Sequence, residues 1–117
     1  SLYGAQHPIV IVPKGRKESA TSEYIVAGHC CESGDILTPA PGDPEGLKVR
    51  AMTRAEIGDI MVIEGSGAYC AGMSTKNYNS FPEAAEILFD AKGKSSVVRK
   101  RQTLEQMLQN EIAPSGI

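Results

Sequence analysis

The chain has 117 residues, the length of one domain and enough to bury a core without disulfide staples. A formal net charge of −2 with no dominant basic patch argues against a nucleic-acid partner, and no apolar run approaches membrane-spanning length. Three cysteines, an odd number, and no signal-peptide pattern fit a reducing, cytoplasmic setting better than a secreted disulfide scaffold.

Trp is absent and aromatic residues are 5% of the chain, so the core is expected to be aliphatic; four of the six aromatics are Tyr, which suits polar roles. The opening Ser1-Leu2-Tyr3 has no initiator Met, and the chain is expected to be part of something longer. Pro8–Pro13 (PIVIVP) is an apolar, β-branched run bounded by prolines and predicts a strand. Lys14–Ser19 is a charged turn around Gly15. Thr21–Ala27, rich in β-formers, predicts a second strand. Gly28–Asp35 (GHCCESGD) is a turn with glycine near each end. Asp35–Thr38 predicts a short strand, and Pro39–Gly46 (PAPGDPEG) predicts an irregular surface loop. Leu47–Met52 reads as an edge strand and Glu56–Asp59 as a turn. Ile60–Glu64 (IMVIE) reads as the clearest buried strand. Ala85–Asp90 and Ser95–Arg101, joined by Ala91–Lys94, predict a β-hairpin whose basic end, Arg99-Lys100-Arg101, is a solvated strand end. Thr103–Gln109 predicts a helix. Thr103 and Gln106 have capping-box spacing, and Leu104, Met107 and Leu108 fall on one face. Ala113–Ile117 is read as a frayed end. Six to eight short strands with regular turn signals and one terminal helix predict a mainly β fold, a β-barrel or sandwich.

Two stretches hold chemistry-bearing side chains. Gly28–Asp35 shows two adjacent cysteines and a carboxylate on a tight turn after a strand. The plain alternative is a turn with a buried Cys and a solvated Glu. Gly65–Asn79 (GSGAYCAGMSTKNYN) follows a strand directly and combines glycines with hydroxyls and amides, a composition that suits a phosphate or carboxylate. It does not match GxGxxG, so a dinucleotide is unsupported. His29, Cys30, Cys31 and Cys70 form a nominal Cys3His set, but adjacent ligands point apart and the spacing does not suit zinc.

Together the stretches are far more specific than either alone. Cys31–Asp35 (CESGD), then Gly67-Ala68-Tyr69, then MSTKNYNSFP from Met73, resembles the C-terminal domain of diaminopimelate decarboxylases, pyridoxal 5′-phosphate (PLP) enzymes of the alanine-racemase fold type. The opening Leu2-Tyr3-Gly4 with His7-Pro8, and the tail Val98–Leu108, are similar to that family as well. The resemblance covers nearly the whole chain and implies a C-terminal β-barrel spanning 1–117. It also implies a preceding (β/α)8 barrel that carries the Schiff-base lysine and most of the cofactor site. Further implications are a homodimer whose active sites are shared across the interface, and α-decarboxylation of meso-2,6-diaminopimelate to L-lysine and CO2.

On this resemblance Cys31 is the proton donor to Cα, a role that suits a thiol because it is mostly protonated at neutral pH. Glu32 binds the distal ammonium group of the substrate, where a charge-assisted bond favours a diamino acid. Tyr69 contacts cofactor and substrate, and Tyr3 helps hold a substrate carboxylate. Ser33, Gly34 and Asp35 are read as turn structure, with Asp35 capping local N–H groups. Asn77, Tyr78 and Asn79 are read as shaping the second stretch, and Cys30 and Cys70 as core packing. None of the chain's lysines, Lys76 included, matches the Schiff-base lysine, so the fragment alone is expected to be inactive. The alternatives are a decarboxylase of another basic amino acid and a free-standing β-barrel binding module.

Overall fold

The computed structural model describes residues 4–116. They form a mainly β structure with one short helix. The elements are β1 (Ile9–Val12), β2 (Thr21–Tyr24), β3 (Pro39–Ala40), β4 (Asp43–Leu47), β5 (Arg50–Thr53), β6 (Ile60–Ile63), β7 (Glu86–Phe89), β8 (Ser95–Arg99) and α1 (Leu104–Leu108), with a 3₁₀ turn at Tyr78–Ser80. The chain divides into two compact units, Ser1–Ser74 and Thr75–Ile117.

In the first unit three antiparallel pairs form: β1 with β6, β2 with β5, and β3 with β4. β1 lies within the expected Pro8–Pro13 strand. β2 stops at Tyr24, earlier than expected. Beyond it only a single bridge, Ala27 to Ile36, remains of the predicted strand Asp35–Thr38. The reason is local. Leu37 N–H donates to Val26 O at 2.8 Å, but Val26 N–H donates to the hydroxyl of Thr38 at 3.0 Å. A side chain has taken the place of a backbone partner, so no ladder continues. Thr38 is wholly buried by this exchange.

Pro39–Gly46 is not irregular, contrary to its composition. It makes most of the β3–β4 hairpin, with Ala40 opposite Asp43 and a register shift between Pro39 and Ala40. Pro41-Gly42 occupies the two-residue connection, and Gly42 takes φ 78°, which only glycine adopts without strain. Pro44 is tolerated because β4 pairs on one side only, so its missing N–H need not cost a ladder bond. The expected Leu47–Met52 strand is split: Leu47 closes β4, and β5 begins at Arg50.

Burial departs most from expectation. Among the described residues only Thr38, Pro39 and Met52, at 8% exposure, are buried. β6 forms where expected but is not a buried strand: Ile60 is 60% and Val62 39% exposed. Val10 lies opposite Val62 and Val12 opposite Ile60, so the four make one uncovered apolar face. A two-stranded ladder supplies no second layer, and an apolar run encodes pairing as readily as burial.

Polar clasps hold this unit instead. The Asp59 carboxylate accepts from the Arg16 guanidinium at 2.5 and 2.6 Å, from Lys14 N–H at 2.9 Å and from Glu56 N–H at 2.8 Å. Arg54 pairs with Glu18 at 2.7 Å. Arg50 donates to His7 O at 2.6 Å and to Gln6 Oε1 at 2.9 Å, and the Tyr24 hydroxyl accepts from Ala55 N–H at 2.9 Å.

The second unit contains the expected β7–β8 hairpin. Asp90 Oδ1 accepts from Lys92 and Lys94 N–H across its turn, where Gly93 takes φ 78°. The end of β8 is not simply solvated. Arg99 pairs with Glu83 at 3.1 Å and Glu86 at 3.2 Å, and Lys76 also reaches Glu83 at 3.0 Å. α1 carries the complete capping box: Thr103 Oγ1 accepts from Gln106 N–H, and Gln106 Oε1 accepts from Thr103 N–H. Leu104 and Leu108 on its apolar face are exposed.

Candidate functional site

The turn Gly28–Asp35 is braced around one carboxylate. Gly28 N–H donates to Asp35 O at 2.8 Å, Cys30 N–H to Asp35 Oδ2 at 2.8 Å, and Asp35 N–H to Glu32 O at 3.1 Å. Asp35 therefore does the capping work that its position in the turn suggested. Gly28 is required for a reason that composition alone does not reveal: a Cβ there would lie 2.1 Å from the Asp35 carboxylate oxygens. The brace turns Cys31 and Glu32 outward, and both are exposed. Glu32 Oε1 accepts from Gly34 N–H at 3.0 Å and faces the Ser33 hydroxyl at 3.4 Å. Among the described residues Oε2 takes no hydrogen bond, so one carboxylate oxygen fixes the rotamer and the other can face a ligand. Ser33 also donates to Glu45 on β4 at 3.2 Å, tying the turn to the hairpin that the Pro-Gly stretch makes.

Tyr69 stands in the same unit on the second stretch, 69% exposed and with φ 66°. That left-handed conformation is costly for a bulky residue and persists only where the surroundings impose it. Here Met73 N–H donates to Tyr69 O at 2.7 Å and Cys70 N–H to Ala68 O at 2.8 Å, and Gly65 turns the chain off β6 with φ 66°. No hydrogen bond joins Tyr69 to Cys31 or Glu32 among the described residues. Tyr3 lies outside the described residues. Cys30 and Cys70 are not fully buried core residues as expected: both are partly buried free thiols. Their backbones serve turns, and such turns do not bury a side chain. Among the described residues no group of three or more His, Cys, Asp or Glu is placed to hold a metal ion, and no helix is long and apolar enough to cross a membrane.

In the second unit Asn77, at φ 60°, donates to Phe81 O at 3.1 Å and Gln102 Oε1 at 2.5 Å, which is the shape-holding role expected of it. Lys76 pairs with Glu83 at 3.0 Å. An open polar depression of about 270 Å³ is lined by Glu83, Arg99, Lys100, Gln102, Gln106 and Gln109. Four of these six already satisfy one another or the backbone, which leaves little to recognise a ligand.

Residues 1–67 match the family model described as pyridoxal-dependent decarboxylase, C-terminal sheet domain. The chain belongs to that family. It is 40% identical to diaminopimelate decarboxylase of Escherichia coli (strain K12) over 115 residues, 96% of this chain and 26% of that protein. It is 33% identical to diaminopimelate decarboxylase of Methanothermobacter thermautotrophicus over 117 residues, 100% of this chain and 24% of that protein. A crystal structure of diaminopimelate decarboxylase from M. jannaschi superposes with a TM-score of 0.75 at 28% identity, covering 97% of this chain and 23% of that one. The chain thus spans about a quarter of the length of the relatives it matches. The turn that pointed to this family in the sequence lies within the matched residues.

Proposed function

We propose that this chain is the C-terminal domain of a two-domain, PLP-dependent diaminopimelate decarboxylase, which converts meso-2,6-diaminopimelate to L-lysine and CO2 in the cytoplasm. The observation that carries the reading is the braced turn itself. It presents a thiol and a carboxylate, side by side and exposed, in a chain whose relatives bear that name over 96% of its length. Residues 1–117 form a single C-terminal domain behind a (β/α)8 barrel, in a homodimer whose active sites draw on both subunits. The short antiparallel pairs close into a β-barrel in that setting, where the apolar face of β1 and β6 is covered.

The donors present fit a minor share of a PLP site. Tyr69 offers an exposed hydroxyl to an anionic group, while no lysine stands free in the glycine stretch, so the main cofactor contacts come from the preceding barrel. When bound, the cofactor supplies the electron sink that makes loss of CO2 from Cα feasible. Cys31 holds a proton at Sγ and delivers it to Cα after CO2 has left. Glu32 Oε2 accepts from the distal ammonium group while Oε1 stays tied to Gly34, so the carboxylate is oriented before substrate arrives. Tyr69 donates to the cofactor phosphate or the substrate, and Tyr3 helps hold a substrate carboxylate.

In the full-length enzyme, Cys31→Ala lowers kcat by about 10²- to 10⁴-fold, the range for loss of a general acid, and leaves cofactor affinity nearly unchanged. Equal loss of both, measured by CO2 release and cofactor titration, assigns Cys31 to packing instead. Faster CO2 release from ornithine, arginine or lysine than from diaminopimelate overturns the substrate assignment.

A further inference from the structure

The proposed decarboxylation uses one cysteine of an adjacent pair, and the second is neither buried nor assigned. Cys31 is an exposed free thiol, and Cys30 beside it is partly buried and free. The pair sits on a turn whose backbone is pinned from Cys30 N–H to Asp35 Oδ2 and from Gly28 N–H to Asp35 O, each at 2.8 Å. The brace holds both side chains on the same short loop. Core packing would require full burial, whereas Cys30 is only partly buried, and metal binding would require a third ligand, which the described residues do not bring near.

We propose that Cys30 and Cys31 form a reversible thiol–disulfide switch, with Cys31 the attacked thiol and Cys30 the resolving one. The oxidant class is a low-molecular-weight disulfide such as glutathione disulfide. Cys31 gives up its proton, and its sulfur attacks one sulfur of the disulfide, breaking the S–S bond. One glutathione leaves with that proton as a free thiol, and the other remains bound to Cys31. Cys30 then loses its proton, attacks Cys31 Sγ and expels the second glutathione, which takes up that proton. The cysteine pair has lost two electrons and two protons, and one disulfide has become two thiols.

Adjacent Cα atoms are about 3.8 Å apart, shorter than the usual disulfide span of roughly 4.4–6.8 Å, so the closed ring is strained and readily reduced. That lability makes the bond a switch rather than a staple, and resolution by Cys30 keeps Cys31 from advancing to irreversible acids. The switch does not depend on Cys31 being the proton donor. If that reading also holds, closing the ring removes the acid from the reaction.

The test uses the full-length protein, reduced, incubated with glutathione disulfide, alkylated and mapped by mass spectrometry. The expected product is a peptide that contains Cys30 and Cys31, has lost two hydrogens, resists alkylation and is restored by dithiothreitol. Cys30→Ser, which keeps the backbone bond to Asp35, is expected to trap glutathione on Cys31 instead. A lasting glutathione adduct on Cys31 in the native protein overturns the proposal, as does pairing of Cys31 with Cys70 or with a second chain, or full alkylation of both thiols. Ring closure with diaminopimelate turnover intact leaves the switch standing and removes Cys31 as the acid.

Discussion

Asp59 and Asp35 both organise a loop of the first unit, and they do it in opposite ways. Asp59 is surrounded: a guanidinium and two backbone N–H groups take up its oxygens, and only 5% of its side chain is exposed. The Arg16 hydrogen bonds, followed by those from Lys14 and Glu56 N–H, hold its carboxyl well below the usual carboxylate range. The Asp59 side chain at its centre presents almost no surface to solvent, so the clasp is structural. Asp35 instead spends its backbone and one side-chain oxygen on the turn, and the two residues it braces, Cys31 and Glu32, face solvent. A carboxylate that closes a loop on itself makes fold, and one that closes a loop beneath other side chains makes a platform.

That contrast can be broken at either loop. The largest loss of stability is expected from Asp59→Asn, which removes the charge from the Arg16 clasp and leaves the half-buried guanidinium only the longer Glu56 pair at 3.6 Å and the Arg54 carbonyl. Thermal unfolding of the full-length protein checks it. The same variant is expected to flatten the acid limb of the stability curve. A carboxyl held low in the folded state stabilises fully above its unfolded value, near pH 4, and that stability is lost as pH falls below it. Glu18, lowered first by Ala20 N–H and then by Arg54, adds to the same limb.

Gly28→Ala is expected to cost about 1–3 kcal/mol, because Asp35 must swing away from the new methyl and release Cys30. Its signature is loss of Tm together with loss of turnover, since the platform moves. Glu32→Gln separates the two effects: Tm is expected to stay, while KM for diaminopimelate rises roughly tenfold as a charge-assisted bond becomes a neutral one. A matching fall in Tm would place Glu32 with Asp59 as structure. Thr103→Ala, remote from both loops in sequence, is expected to cost about 1 kcal/mol through the lost cap and to leave kcat and KM unchanged.

Much of this is legible in the amino-acid sequence. The β1 and β7–β8 strands, the turn at Glu56–Asp59 and the capping box of α1 follow from short-range rules of branching, glycine and hydroxyl placement, and all appear where expected. The site turn was legible for the same reason, because its cysteines, its carboxylate and the Asp35 that caps it lie within eight consecutive residues. Failures came where partners are distant in sequence. Pro39–Gly46 reads as loop until Leu47 is seen opposite Pro39, and Asp35–Thr38 reads as strand until the Thr38 hydroxyl is seen at Val26 N–H. Ile60–Ile63 reads as buried because an apolar run says only that burial is favourable, not that a covering layer is present.

The residue order by itself therefore determined the elements set by short-range rules, the membership of a family and a candidate thiol and carboxylate, since each rests on neighbours along the chain. Only the tertiary structure decided that Arg16 and Asp59, 43 positions apart, close one loop, that Gly28 makes room for Asp35, and that Cys30 is only partly buried beside Cys31. Those are facts of distance and accessible surface, and they exist only once the chain has folded back on itself.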